Sequence, residues 1–204
     1  MGNSSCDGVA RRPIAKVSLK EQHERSVGRN LMQLLRCWCK FIGRGVAGVQ
    51  PDLIYSIAGR KIGIEIATAY YDNNQAKVEW ELARGRLKPG PGRSIKLGKW
   101  TAPDKLIAAR VQQELDDKSS RHYSSVDAVW LCIHQEAPLA DLSELSDLAR
   151  ALKLPPLHPF ERIYLSWYAH LGEGGGFRAI VILDTTFSNQ IGAILGVPKR
   201  PKLP

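Results

Sequence analysis

Apolar positions recur along the chain with two different periods. In residues 61–69, Ile62, Ile64 and Ile66 alternate with Lys61, Gly63, Glu65, Ala67 and Ala69, the period of two that puts successive strand side chains on opposite faces. Just upstream, Leu53, Tyr55 and Ile57 alternate with Asp52, Ile54 and Ser56, and Ala58, Gly59 and Arg60 supply a short turn, so the two runs predict an antiparallel hairpin. Residues 18–42 follow the helical period instead. Val27, Leu31, Leu34, Leu35, Trp38 and Phe41 form the expected buried stripe of a first helix, with Ser18 and Glu21 spaced as a capping box. Residues 72–85 predict a helix that Asp72 or Asn73 can cap, with Val78 and Leu82 on its apolar edge. Thr101 and Asp104 cap the next helix, Pro103 lies in its first turn, and Leu106, Ile107, Val111 and Leu115 pack it. Residues 127–134 are a continuous apolar run, the mark of a central strand buried on both faces. A helix over 140–152 and strands over 162–170 and 177–184 complete the series. The expected architecture is α/β, one mixed central sheet flanked by helices.

Two carboxylates stand out of this pattern. Asp52 opens the first hairpin strand and Glu65 lies late in the second, so antiparallel pairing brings them to adjoining ends. Glu65 shares its face with glycine and alanine, which leave room for a ligand, and paired carboxylate oxygens suit a hard cation such as Mg²⁺. The plainer reading is an Asp in a turn after proline and a Glu on a solvated face. Glu24 precedes Leu31 by seven residues and so points to the core side of the first helix. It is either a third acid of the same site or the edge of the stripe, paired with a Lys or Arg.

Pro51-Asp52 and Glu65 resemble the first two motifs of the PD-(D/E)XK nuclease superfamily. The resemblance spans residues 18–183 in the order of elements. It implies a restriction-endonuclease-like βββαβ core in which the two acids, joined by a first-helix Glu here matched by Glu24, hold Mg²⁺, with Mn²⁺ as a substitute. It also implies a lysine two residues after the second acid, where this chain has Ala67. That departure leaves a migrated lysine, reliance on metal alone, or a fold that no longer cuts. Lys77, in the helix after the motif, is the candidate surrogate. Lys61 shares the Glu65 face but sits roughly 13 Å away along the strand. The expected function is metal-dependent hydrolysis of phosphodiester bonds in DNA by Asp52, Glu65, Glu24 and Lys77. The alternative is a catalytically inactive nuclease-fold protein that binds nucleic acid.

Composition narrows the setting. The 204 residues predict a single domain over 18–197, between a disordered segment 1–17 and a basic, proline-rich tail 198–204. No apolar run approaches the roughly 18 residues of a membrane span, and the opening residues lack a secretory core. MGNSSC carries Cys6 where a myristoylation signal has Ser or Thr. Cys6, Cys37, Cys39 and Cys132 show no metal-ligand spacing and read as reduced thiols of a cytoplasmic protein. His134, His158 and His170 fall into no ligand motif, and the glycine cluster at 172–176 lacks the residues of a phosphate loop.

The formal charge is +9, and its distribution points to nucleic acid, DNA in expectation, as the partner. Arg84, Arg86, Lys88, Arg93, Lys96 and Lys99 occupy a Gly- and Pro-rich stretch without an acid, ending beside Trp100. Such cations neutralise phosphates and release counterions, while the indole can stack on an unpaired base. Replacing Arg93, Lys96 and Lys99 by Ala should weaken binding to all sequences alike. The slope of affinity against salt should flatten by up to about three units, roughly one per lost contact; an unchanged slope assigns the loop to solvent.

Overall fold

The computed structural model describes residues 17–70, 77, 81, 103–136, 142–169, 176–185 and 194–196, with backbone alone at 103–104, 142–146, 169 and 194–196. The elements are α1 (Leu19–Leu34), β1 (Cys39–Arg44), β2 (Leu53–Ile57), β3 (Arg60–Ala69), α2 (Pro103–Ser119), β4 (Ala128–Gln135), α3 (Leu142–Ala151), β5 (Phe160–Ala169), β6 (Gly176–Asp184) and β7 (Ile194–Gly196). Seven strands form one sheet in sequence order. β1, β2 and β3 are antiparallel, β4 and β5 continue parallel to β3, and β6 and β7 return to antiparallel pairing. The two parallel steps are the ones that carry crossover helices, α2 and α3, as parallel pairing requires.

The alternation in β3 sorts the core into two layers. Ile62, Ile64 and Ile66 face α1 and join Val27, Leu31, Leu53, Tyr55, Cys132 and Tyr164. Ala67 and Ala69 face the other way, with Ile107, Val111 and Leu115 of α2 and Leu131, Ile133 and Leu165 of the sheet. β4 runs through the middle, and Val129 to Ile133 are buried on both sides. The turn between β2 and β3 is a two-residue connection in which Ala58 and Gly59 both take positive φ, 48° and 81°. That is the primed geometry whose twist matches the strands.

Three expectations need correction. The first helix does not run to residue 42. It stops at Leu34, where Cys37 N donates to Met32 O at 3.3 Å and Arg36 N to Gln33 O at 3.2 Å. This is a Schellman closure with Arg36 at φ 51° in the position usually held by glycine. Trp38 and Phe41 therefore leave the buried stripe: Trp38 is 97% exposed, and Phe41, in β1, 40% exposed. Second, Ser18 Oγ accepts from Glu21 N at 3.2 Å as a cap should, but the Glu21 carboxylate turns to Arg25 and Arg44 rather than closing a box. Third, Leu106 is 42% exposed and does not pack α2. The helix expected over 72–85 lies outside the described residues except for Lys77 and Glu81, both helical. The predicted N-terminal segment, the predicted tail and the basic loop from Arg84 to Lys99 with Trp100 lie outside them as well, apart from Val17.

Gly63 holds the end of the hairpin together. A Cβ there would overlap Cγ of Pro51 and come within 2.9 Å of its Cβ, both atoms of a rigid ring. Gly63→Ala should destabilise the fold by about 1–3 kcal/mol, as overpacking does, despite the better strand propensity of alanine. A urea melt checks it; a variant as stable as the wild type would show that Pro51 can move freely.

Candidate functional site

β2 pairs with β3 only as far as Leu53 opposite Ile64. From Glu65 to Ala69, β3 keeps β4 as its partner, and no described strand covers its other edge. Extending the register places Asp52 opposite Glu65. There the Asp52 side chain replaces the missing strand: its Oδ2 accepts from Ile66 N at 2.9 Å. Proline at 51 has no N–H to continue the ladder, and its ring lies on Gly63 instead.

A cleft of about 530 Å³ opens along this edge, lined by Lys20, His23 and Glu24 of α1, Ala67 and Thr68 of β3, and Glu114 and Lys118 of α2, among others. Glu65 lies beside it and is 2% exposed. Its Oε1 accepts from Lys118 Nζ at 2.6 Å and from Arg121 Nη1 at 3.2 Å. Burial and then the charge of Asp52 still hold the Glu65 carboxyl above the ordinary carboxylate range, against the pull of Lys118 and Arg121. Tyr123 reports the same field: burial first, then the charge of Glu65, drives its phenol far above its usual range. Its buried hydroxyl has no hydrogen-bond partner.

Glu24 is equally buried, at 2%. Its Oε2 takes Arg44 Nη2 at 2.6 Å, and Lys20 Nζ stands 3.4 Å from Oε1. Burial, followed by the charge of Asp52, raises its pKa. Asp52 thus acts electrostatically on both glutamates, and the structure gathers Asp52, Glu65 and Glu24 around one strand edge. Glu24 belongs at the same time to an arginine pair. Among the described residues, no group of three or more His, Cys, Asp or Glu is arranged to hold a metal ion.

Lys77 is exposed on its helical segment, as is Lys61 at the opposite end of β3. The lysine that touches Glu65 is Lys118, which the sequence reading missed. It lies 53 residues beyond its partner. Its signal is that Ile107, Val111 and Leu115 set the buried stripe of α2, and position 118 is the next place on that stripe.

A second polar constellation lies on the α1 face. His134 Nδ1 is 3.0 Å from Ser166 Oγ, and His134 Nε2 is 3.2 Å from Glu136 Oε1. Ser166 and His134 have no exposure at all, so this Ser, His and Glu set offers no nucleophile to a substrate. His134 is a core histidine held between Ser166 and the Glu136 carboxylate. His23, beside it, forms part of the cleft wall, and burial, then His134, lower its pKa.

No family model, curated protein or solved structure matches this chain. No described helix is long and apolar enough to cross a membrane.

The raised carboxyls fix a pH signature. An acid whose folded pKa lies above its unfolded one is most favourable to folding while protonated. Its contribution is lost as pH rises from the ordinary carboxylate range through the folded value. Thermal melts from mildly acid to neutral pH should therefore show stability falling across that window, and Glu65→Gln should remove part of the fall. Identical pH profiles for the two proteins would mean that Lys118 and Arg121 compensate the Glu65 charge fully.

Proposed function

We propose that the chain is a metal-dependent nuclease of the restriction-endonuclease-like kind, with Asp52, Glu65 and Lys118 as its catalytic centre. One observation carries this reading: at an open strand edge, Asp52 opposes Glu65, and a nearly buried lysine, 12% exposed, stands 2.6 Å from Glu65. The element order agrees. A helix bearing Glu24, three antiparallel strands with Asp52 just before the second and Glu65 on the third, a crossover helix and a parallel fourth strand are what the PD-(D/E)XK resemblance implies.

The donor set fits Mg²⁺. Burial and then the charge of Asp52 raise the Glu65 pKa, which a cation would relieve, and Mg²⁺ takes only one or two carboxylates while keeping waters. Asp52 and Glu65 would hold it. Bound there, it would polarise a scissile phosphate and lower the pKa of attacking water. The chain's own residues do the rest. Lys118 spends one N–H on the Glu65 carboxylate and has two more to direct into the cleft that it lines. They stabilise charge developing on a phosphate oxygen. Ala67 keeps the Glu65 face low enough for the side chain from α2 to cross it. Arg121, 49% exposed, can leave Glu65 when substrate or cation arrives. Glu24, held by Arg44, keeps α1 and β1 in register at the mouth of the cleft.

Cleavage of single- and double-stranded DNA and of RNA, with Mg²⁺ or Mn²⁺, tests the proposal. Wild type should cut at least one substrate, and Asp52→Ala and Glu65→Ala should lose the activity. Lys118→Ala should slow it by on the order of a hundredfold, the effect of removing a preorganised electrostatic donor, while Lys77→Ala leaves it unchanged. Binding without metal-dependent cleavage of any substrate would make the chain an inactive nuclease-fold protein. A slow Lys77→Ala beside a normal Lys118→Ala would return the role to Lys77.

A further inference from the structure

The closure of α1 leaves a second concavity, of about 480 Å³, where the end of the helix meets β1 and β2. Arg29, Arg36, Trp38, Phe41 and Tyr55 are among its walls. Its chemistry is unlike that of an ordinary surface. Trp38 presents its indole to solvent at 97% exposure, forgoing the apolar burial that a large aromatic side chain ordinarily gains. Arg29, Arg36 and the adjacent Lys40 are exposed, and none pairs with a carboxylate among the described residues. The guanidinium of Arg25 lies 5.5 Å over the Phe41 ring, and Phe41 meets Tyr55 edge to face at 5.3 Å. Aromatic faces bordered by unpaired cations are the recognition chemistry of single-stranded nucleic acid, in which bases stack and phosphates take the charges.

We infer that this groove is a binding site for single-stranded nucleic acid, with Trp38 as its stacking face and Arg29, Arg36 and Lys40 as its phosphate contacts. The inference rests on the nucleic-acid reading above and deepens it, without requiring turnover. Position matters. Leu34, the last residue of α1, follows Glu24 by ten residues, roughly 15 Å along the helix axis, and β1 runs from Cys39 beside the groove to Arg44 on Glu24. One strand laid along α1 and β1 thus reaches from the stacking face to the acidic cleft. An acidic protein could answer the cations too, but a single strand offers a phosphate and a base plane in every nucleotide, the pairing that this groove presents.

Binding of fluorescently labelled single-stranded DNA and RNA oligonucleotides, and of duplexes of the same sequence, is measured by anisotropy in EDTA with the Glu65→Gln protein. No cleavage enters the readout, so an inactive centre does not affect it. Trp38→Ala should weaken single-strand binding by on the order of tenfold or more, and Trp38→Phe should recover most of it. The double change Arg29→Gln and Arg36→Gln should lower the salt slope by about 1.4 units, about 0.7 per phosphate on a single strand. Both sets of side chains are exposed, so melting temperatures should stay at the parent value and certify folding. Unaltered single-strand affinity and salt slope in these variants would overturn the inference, as would equal losses for duplex and single strand after Trp38→Ala.

Discussion

The site depends on the point where β2 ceases to pair with β3. A strand hairpin of ordinary length would have covered Glu65 and Ile66 with a third row of backbone hydrogen bonds. Pro51 removes one of those bonds, since it has no N–H to donate, its ring lies on Gly63, and pairing ends at Leu53 opposite Ile64, leaving Ile66 N–H without a strand carbonyl. The orphaned Ile66 N–H then needs an acceptor, because a buried backbone donor without one costs about as much as a lost hydrogen bond. Asp52 supplies it. A single backbone requirement thereby fixes one carboxylate of the site, opens the strand edge that becomes the cleft, and leaves the second carboxylate beside it.

The charges around that edge are held from four directions. Lys20 comes from α1, Arg44 from β1, Lys118 from the end of α2, and Arg121 from the segment after it. Breaking such pairs is costly because the remaining charge stays buried, which explains why α1, β1 and α2 take fixed positions around the acids. The cations do not cancel the acids. Burial and Asp52 together still push Glu65 and Glu24 upward, so both carboxyls resist ionisation even beside their cations. Carboxylates displaced in this way beside a cleft are found at functional sites and in structural ion-pair networks alike.

Legibility in the sequence followed the range of the interactions. The hairpin, the two faces of β3 and the doubly buried β4 depend on local alternation and on turn chemistry between neighbouring residues, and they appear where the pattern puts them. The end of α1 was hidden because its left-handed residue is Arg36, not glycine, and the apolar period runs on into β1 by coincidence. Trp38 and Phe41 continue the spacing of Val27 and Leu31 after the helix has stopped. β7 was missed as well; it is three residues long and pairs with β6 at the edge of the sheet. Lys118 was hidden for a different reason. Its relation to Glu65 is tertiary, and a motif with alanine at its lysine position shows only that something is missing.

The contrast between Lys118 and Arg121 bears on whether the centre is built for turnover. A purely structural ion pair gains most when both partners are immobilised and their remaining hydrogen-bonding capacity is satisfied. Lys118 meets the first condition, at 12% side-chain exposure, but it keeps N–H groups on the cleft wall. Arg121 fails the first condition, since half of its side chain lies in solvent, where a single pair contributes little. Lys118 therefore lines the cleft with N–H groups beyond the one it gives Glu65, while Arg121 covers the same carboxylate from the solvent side. Under the proposed nuclease function, a held donor beside a solvent-exposed cover is the arrangement that exchanging one neutralising charge for another would use.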